Sequence, residues 1–361
     1  MDRSIIRRGA ASTFLLGMLI LLLTRNSFCD GKSHGSCREK ERNALLEFKS
    51  DLIDPSGRLS SWTVDQKDCC KWVGVFCDNS TGHVHELHLK NPDAESEKLY
   101  QSRYEMSSLG VPNSLRNMTN LQFLDLSSNF LNSSIPKWFG ILSSLIFLNL
   151  SNNQLTGTLP ESVGHLSMLV GLYISSNFLE GIVSEVHFAN LTNLMYLYAS
   201  DNLLSMRVSP EWKPLFQLQE MELRSWQLGP KFPNWLRSQK MLEDLDLSCA
   251  QISDSVPNWF WELSSQFVYL NLSHNQLHGE IPNIAPTVGS VHSVMYLNSN
   301  KFNGSLPCFP PNIRELDVSR NSFSELVATG SANSWQQQFH REYPKIHWTS
   351  TRLALFTPTQ Q

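Results

Sequence analysis

Three groups of side chains in this sequence have the types and spacing to do chemistry. His83, His85 and His88 lie within GHVHELH and offer imidazole nitrogens to a metal ion. On a strand, His85 and His88 would both face solvent, but the spacing is not the H-E-x-x-H of a zinc protease helix. An ordinary exposed edge strand explains the three histidines, and no metal is expected. Cys249 and Cys308 could act as nucleophiles only beside a base, and no motif places a His or Asp next to either. With no paired carboxylates and no Ser/His/Asp arrangement supported by a motif, neither catalysis nor a cofactor is expected.

The third group is the cluster Cys37, Cys69, Cys70 and Cys77. Four cysteines allow three pairings, and a bridge between the neighbours Cys69 and Cys70 would strain the backbone. The preferred pairing is Cys37 with Cys69 and Cys70 with Cys77. A four-thiolate zinc site is the weaker reading, because a C-C pair lacks the usual C-x2-C spacing.

Disulfides need an oxidising compartment, and the first residues supply the route. Arg3, Arg7 and Arg8 flank the start of an apolar run from Ala10 to Leu23, and Ser27 and Cys29 set small side chains before a cut at Asp30. Residues 1–29 are expected to be a signal peptide that carries Cys29 away. The run is shorter than the roughly 20 residues of a membrane span, and nothing downstream is long enough either.

The elements that must position these groups follow from periodicity. Residues 30–80 read as a cap. Arg38 to Leu52 carries Ala44, Leu45, Phe48 and Leu52 at helical spacing, and Asp54-Pro55-Ser56-Gly57 supplies the turn that ends it. Trp62 and Trp72 are expected over its apolar face. From Leu121 the pattern L-x-x-L-x-L-x-x-N returns through nine units, from LQFLDLSSN at 121 to IRELDVSRN at 313. Its last position falls at Asn129, Asn153, Asn177, Asn202, Trp226, Ala250, Asn275, Asn300 and Asn321, in steps of 24 or 25 residues and a final 21. A weaker unit precedes them at Val84, Leu87 and Leu89.

These units define an α/β repeat solenoid, with about ten leucine-rich repeats over 81–326 and an irregular stretch at 92–110. In each unit positions 1, 4 and 6 point into the core, while positions 2, 3, 5, 7 and 8 face solvent on a parallel sheet, the concave face. The recurring Asn is expected to serve buried backbone groups, so Trp226 and Ala250 need another solution. Gly157, Gly279 and Gly304 permit positive φ where the chain turns toward the convex side, and prolines fix φ there. Cys249 and Cys308 lie more than two repeats apart, at about 4.8 Å per repeat, too far for a bridge; both are expected free.

The solvent-facing strand positions carry the binding expectation. Phe123, Phe147, Tyr173, Tyr196 and Tyr198 come first, then Glu220, Glu222, Glu243, Asp244 and Asp246, then Tyr269 and Tyr296. Exposed aromatics beside carboxylates suit a protein or peptide with basic and apolar side chains. Unselected surface variation explains the same residues, and Arg224 beside the carboxylates would neutralise part of them. A net charge of −4 without a basic patch argues against nucleic acid. Sequons at Asn79, Asn117, Asn132, Asn190 and Asn303 are expected to be glycosylated before those at Asn149 and Asn271, which fall inside strands.

The phrases LTGTLPESVG, LHGEIP and FNGSLP resemble the plant-specific class of leucine-rich repeat, L-x-G-x-I-P. RNALLEFKSDL followed by DCCKWVGVFCD resembles the N-terminal cap of plant receptor-like kinases, receptor-like proteins and polygalacturonase inhibitors. QLGPKFPNWLRSQ and LDLSCAQISDSVPNWFW resemble the receptor-like proteins related to the fungal xylanase-elicitor receptors. That resemblance implies an extracellular, apoplastic recognition module for a pathogen-derived or endogenous ligand in defence or development. It also implies a receptor-kinase co-receptor, and a plasma-membrane location for the full-length family. The alternative is a secreted polygalacturonase inhibitor, whose cysteine-bridged C-terminal cap has no counterpart here. The family's acidic segment and transmembrane helix are absent as well, so a truncated or mis-spliced receptor is expected, with 327–361 a disordered tail and fraying from about Asn312.

Overall fold

The computed structural model describes residues 36–91, 107–108, 111–263, 266–284, 294–307, 309 and 313–324. The expected signal peptide, most of the irregular stretch, Cys308 and the tail from 325 lie outside the described residues. Among the described residues no helix is long and apolar enough to cross a membrane.

The cap is built on helix α1 (Glu39–Ser50), whose Ala44, Leu45 and Phe48 are buried on one face as their spacing requires. Trp62 stacks on Trp72 with ring centroids 5.4 Å apart and lies 6.1 Å from Phe48. Glu41 is buried too, a costly place for a carboxylate without partners. It accepts from the Val84 N–H at 2.8 Å and meets His83 Nδ1 at 2.8 Å, which ties α1 to the first repeat. Cys37 is bonded to Cys69 and Cys70 to Cys77, with Cα atoms 5.3 and 5.5 Å apart. The two bridges hold the start of α1 and the first strand to the turn that contains the adjacent cysteines.

Among the described residues eleven strands form the concave sheet in chain order. They are β1 (Val75–Cys77), β2 (Val84–His88), β3 (Phe123–Asp125), β4 (Phe147–Asn149), β5 (Gly171–Tyr173), β6 (Tyr196–Tyr198), β7 (Glu220–Glu222), β8 (Asp244–Asp246), β9 (Tyr269–Asn271), β10 (Val294–Tyr296) and β11 (Glu315–Asp317). The β1–β2 pair is antiparallel and every later pair parallel. Parallel pairing follows from the repeat: each strand returns through a turn on the convex side before the next begins. Positions 1, 4 and 6 fill the core, as with Leu121, Leu124 and Leu126 at 0, 0 and 2% exposure. Each such leucine contributes roughly 1.5–3 kcal/mol relative to exposure. Glu86 pairs with Phe123 and His88 with Asp125, so β2 and β3 are direct neighbours across the irregular stretch.

The Asn ladder forms and spans repeats. Asn153 donates to the carbonyls of Leu150 and, one repeat back, Leu126, while its carbonyl accepts from the Leu131 N–H. Asn177, Asn202, Asn300 and Asn321 repeat this geometry. At Trp226 the indole Nε1 donates to Ala199 O at 2.8 Å, taking over the amide's link to the preceding repeat. At Ala250 the backbone carbonyl accepts from Leu228 and Gly229, and the next rung, Asn275, accepts from both Ala250 and Ile252 N–H.

The residue before each rung is left-handed: Ser128, Asn152, Ser176, Asp201, Ser225, Cys249, His274, Ser299 and Arg320 have φ between 54° and 68°. Position 7 differs from expectation. Ser127, Ser151, Ser200, Ser248 and Ser273 are buried rather than solvent-facing. The chain has already begun to turn inward there, and in four of these units the position-5 Asp or Asn accepts the position-7 N–H, as Asp125 does from Ser127 at 2.9 Å.

On the convex side short helical turns follow prolines, as at Lys137–Ile141 after Pro136 and Glu161–His165 after Pro160, and α2 (Asn258–Leu263) follows Pro257. A second, lateral sheet joins Thr156–Gly157, Phe178–Val183 and Leu203–Met206. Gly157, Gly279 and Gly304 take φ of 74°, 92° and 77°, as the turn phrase requires.

Candidate functional site

The concave strands place rings on successive rungs about 4.8 Å apart, close enough for neighbouring side chains to stack. They do so in one continuous row. His88 on β2 stacks on Phe123 with centroids 4.2 Å apart, and Phe123 on Phe147 at 4.2 Å with the planes 2° from parallel. Phe147 meets Tyr173 at 4.9 Å, and Tyr173 meets Tyr198 at 4.9 Å and 12°. Phe76 on β1 closes the N-terminal end edge-on to His88 at 4.8 Å.

The row changes column on the way. Phe123 and Phe147 are at position 3 of their repeats, Tyr173 and Tyr198 at position 5. The crossing is possible because position 3 of β5 is Gly171. A Cβ there would lie 2.7 Å from Tyr173 Cε2, so the tyrosine ring occupies the space that a side chain would take.

At its C-terminal end the row passes into carboxylates: the Tyr198 hydroxyl donates to Glu220. Glu220 is registered beside Asp244 on the next strand, and Glu222 beside Asp246. Burial pushes Glu220 up to about 7, helped by repulsion from Asp244, Glu222 and Glu243. Burial and Glu243 push Asp244 up to about 6. Burial, with Glu220 and Glu243 behind it, also raises Tyr196, whose hydroxyl donates to Gln219 at 2.7 Å. Arg224 is turned to Asp201, with contacts of 2.9 and 2.5 Å, so its guanidinium is committed elsewhere. Among the described residues no cation pairs with Glu220 or Asp244.

Two of the ring and carboxylate residues expected to face solvent are buried. Phe147 is 7% exposed because rings cover both of its faces. Asp246 is 5% exposed because its carboxylate accepts from the Ser248 N–H and hydroxyl and from Asn271 Nδ2. Phe123, Tyr173, Tyr196, Tyr198, Glu220, Glu222, Asp244, Tyr269 and Tyr296 are half-buried on the face, and Glu243 is exposed. Tyr269 and Tyr296 form a separate edge-to-face pair at 6.0 Å, outside the stacked row, and the Tyr296 hydroxyl donates to Glu315 at 2.6 Å.

Sequence reasoning missed Phe76, His88 and Gly171 as members of this face. The signal was available for His88, which holds position 5 of the first unit. Glu86 lies between His85 and His88, at 3.2 and 2.7 Å, and hydrogen bonds from both rings hold its carboxyl down at about 2. His83 faces Glu41 instead. Among the described residues only Cys37, Cys69 and Cys70 bring three ligand atoms together, and their sulfurs are in disulfides. Cys249 is exposed as a residue and unbridged, and partial desolvation of its thiol, with Asp246 and Asp201 nearby, pushes it up, away from the thiolate a nucleophile needs. The sequons at Asn79, Asn117, Asn132, Asn190 and Asn303 are exposed; Asn149 is half-buried and Asn271 buried.

A disulfide-bonded cap, a one-strand-per-repeat parallel sheet and an Asn ladder together define a leucine-rich-repeat domain. The model of the leucine-rich-repeat N-terminal domain matches residues 38–78, and that of the leucine-rich repeat matches 120–142, 144–166 and 266–286. Within that class the similarity runs to plant receptor-like proteins. The chain is 37% identical over 280 residues to receptor-like protein EIX1 of Solanum lycopersicum, covering 76% of this chain and 24% of that protein. It is 46% identical over 93 residues to receptor-like protein EIX2 of the same plant, covering 26% of this chain and 9% of that protein. The chain thus spans a quarter or less of the length of these relatives. Among solved structures it resembles the ectodomain of the Arabidopsis receptor kinase HAESA in complex with an IDA peptide hormone lengthened at its N-terminus. That match has a TM-score of 0.67 and 28% identity, covering 79% of this chain and 46% of that one.

Proposed function

We propose that this chain is the extracellular recognition part of a plant receptor-like protein, binding a protein or peptide on its concave face without catalysing a reaction. The observation that carries the reading is the row of stacked rings that ends at Glu220 and Asp244, with which no cation pairs among the described residues. Similarity to EIX1 over most of the chain supports the receptor-like class, and the HAESA ectodomain, similar in fold, is seen with a peptide hormone. None of these similarities points to a polygalacturonase inhibitor. Two cap disulfides suit the secretory pathway and the apoplast. A chain of this kind would need a receptor-kinase partner to pass a signal inward, and its five exposed sequons would carry glycans.

The test is binding of the secreted chain to fungal elicitor proteins and to fungal polygalacturonase, measured by surface plasmon resonance. Tyr198→Ala and Glu222→Ala are expected to weaken elicitor binding at least tenfold, while Lys137→Ala on the convex side leaves it unchanged. Binding to polygalacturonase alone, or equal loss from the convex substitution, would overturn the reading.

A further inference from the structure

The stacked row constrains what can lie on it. A ring presents an apolar, electron-rich face and an electropositive edge. Here the faces of Phe123, Phe147 and Tyr173 are taken by their neighbours, so the edges are what the row offers outward. Sugars bind aromatic side chains face to face, and this row has few faces to give. Edges suit peptide carbonyl oxygens and aliphatic side chains. From His88 to Tyr198 the row crosses five strands, roughly 19 Å at about 4.8 Å per strand, the length of about six residues of extended chain at roughly 3.3 Å each.

The end of the row fixes the charge of the occupant. Carboxylates by themselves need nothing but water. These differ in being the terminus of an apolar row, joined to it by the Tyr198 hydroxyl on Glu220. Glu220 and Asp244 occupy registered positions on β7 and β8, and Arg224, two residues after Glu222, is held by Asp201. Like charges side by side raise the energy of the unoccupied face, and a cation placed between them removes that cost.

We propose that the concave face binds an extended peptide segment carrying a Lys or Arg. The basic side chain seats over Glu220 and Asp244, and the neighbouring apolar residues lie along the ring edges from Tyr198 back toward Phe123. This rests on the concave-face recognition reading and adds the chemistry and direction of the ligand. The acidic end selects against segments that carry Asp or Glu at the same place.

The test pans a phage-displayed library of random nonapeptides on the purified secreted chain, then measures the selected peptides in synthetic form. Selected sequences are expected to share a Lys or Arg at one end of an apolar stretch. Replacing that residue by norleucine should weaken binding at least tenfold, and so should Glu220→Gln combined with Asp244→Asn in the protein. The peptide change is independent of whether the protein variant folds. Selected peptides that depend on Tyr173 and Tyr198 but tolerate norleucine would overturn the basic-residue proposal and leave concave recognition standing. Peptides indifferent to both tyrosines, or no enriched peptide, would overturn both.

Discussion

Tyr173 occupies the space of a missing side chain at Gly171: a Cβ on that glycine would sit 2.7 Å from Tyr173 Cε2 and 3.5 Å from Phe147 Cδ2. The glycine is therefore part of the aromatic face although it has no ring. Gly171→Ala is expected to push Tyr173 off Phe147 and break the row between β4 and β6. The ring can swing toward solvent, so the stability loss should be modest, about 1 kcal/mol, at the low end for overpacking. Near-ultraviolet circular dichroism should lose its stacked-aromatic signal while the far-ultraviolet spectrum is unchanged. An unchanged near-ultraviolet spectrum would mean that the glycine does not set the row.

The left-handed residue before each rung gives a second expectation. Ser176 has φ of 56°, a region that costs a non-glycine residue roughly 1–2 kcal/mol and a β-branched one more. Ser176→Gly should be neutral or stabilise by up to about 1 kcal/mol, the relief being offset by a more flexible unfolded chain. Ser176→Val should destabilise by about 2 kcal/mol. Chemical denaturation of the two variants decides it, and equal effects would contradict the geometry.

The carboxylates predict a pH dependence whose sign can be worked out. Glu220 at about 7 and Asp244 at about 6 lie above their ordinary values of 4.5 and 3.8. The folded state therefore holds protons that the unfolded chain releases. Their contribution to stability is full below about pH 4 and is lost as pH rises through 6 to 7. Glu220→Gln and Asp244→Asn should each raise the melting temperature at pH 7.5 and flatten its decline from pH 5. Glu86, held down at about 2, works oppositely: its contribution is present above about pH 4.5 and lost as pH falls toward 2. Melting curves from pH 3 to 8 that match wild type in all three variants, with Glu86→Gln as the third, would refute this electrostatic picture.

The two cap bridges should be unequal. Cys37–Cys69 closes 32 residues and Cys70–Cys77 closes 7. Loop-closure entropy then assigns about 4 kcal/mol to the first and about 2 kcal/mol to the second. Paired Cys→Ser variants should lose stability in that order under thermal or urea unfolding. A reversed order would show that native contacts around Cys70 and Cys77 outweigh chain entropy.

Much of this architecture is legible in the sequence because the repeat is redundant. Leu121, Leu124 and Leu126 announce a strand weakly, but the same spacing recurring through nine units leaves one consistent register. The cap disulfides were legible because adjacency of Cys69 and Cys70 removes one pairing. The functional face was legible only as a set of outward positions. Its organisation depends on side-chain directions that spacing does not encode: which rings lean across columns, that Arg224 turns to Asp201, that Asp246 is used by its own turn. Trp226 looked like a break in the ladder. Its indole N–H proves to reach the carbonyl an Asn would have reached, a substitution of function across unlike side chains that no pattern match reveals.

That substitution has a mechanical consequence. At Trp226 and Ala250 the amide ladder loses two successive rungs, and among the described residues no lateral strand pairing bridges Gln227 to Ser255, although pairing runs up to the first and resumes at the second. In place of both, the repeats that carry Glu220 and Asp244 are joined by the Trp226 indole, by the Leu228 and Gly229 N–H groups on the Ala250 carbonyl and by the Ser253 N–H on the Pro230 carbonyl. Pulled from its ends by optical tweezers, the chain should yield first between β7 and β9, parting into an N-terminal block with the cap and a shorter C-terminal block. Force applied across a ligand seated on the acidic pair would act on this joint.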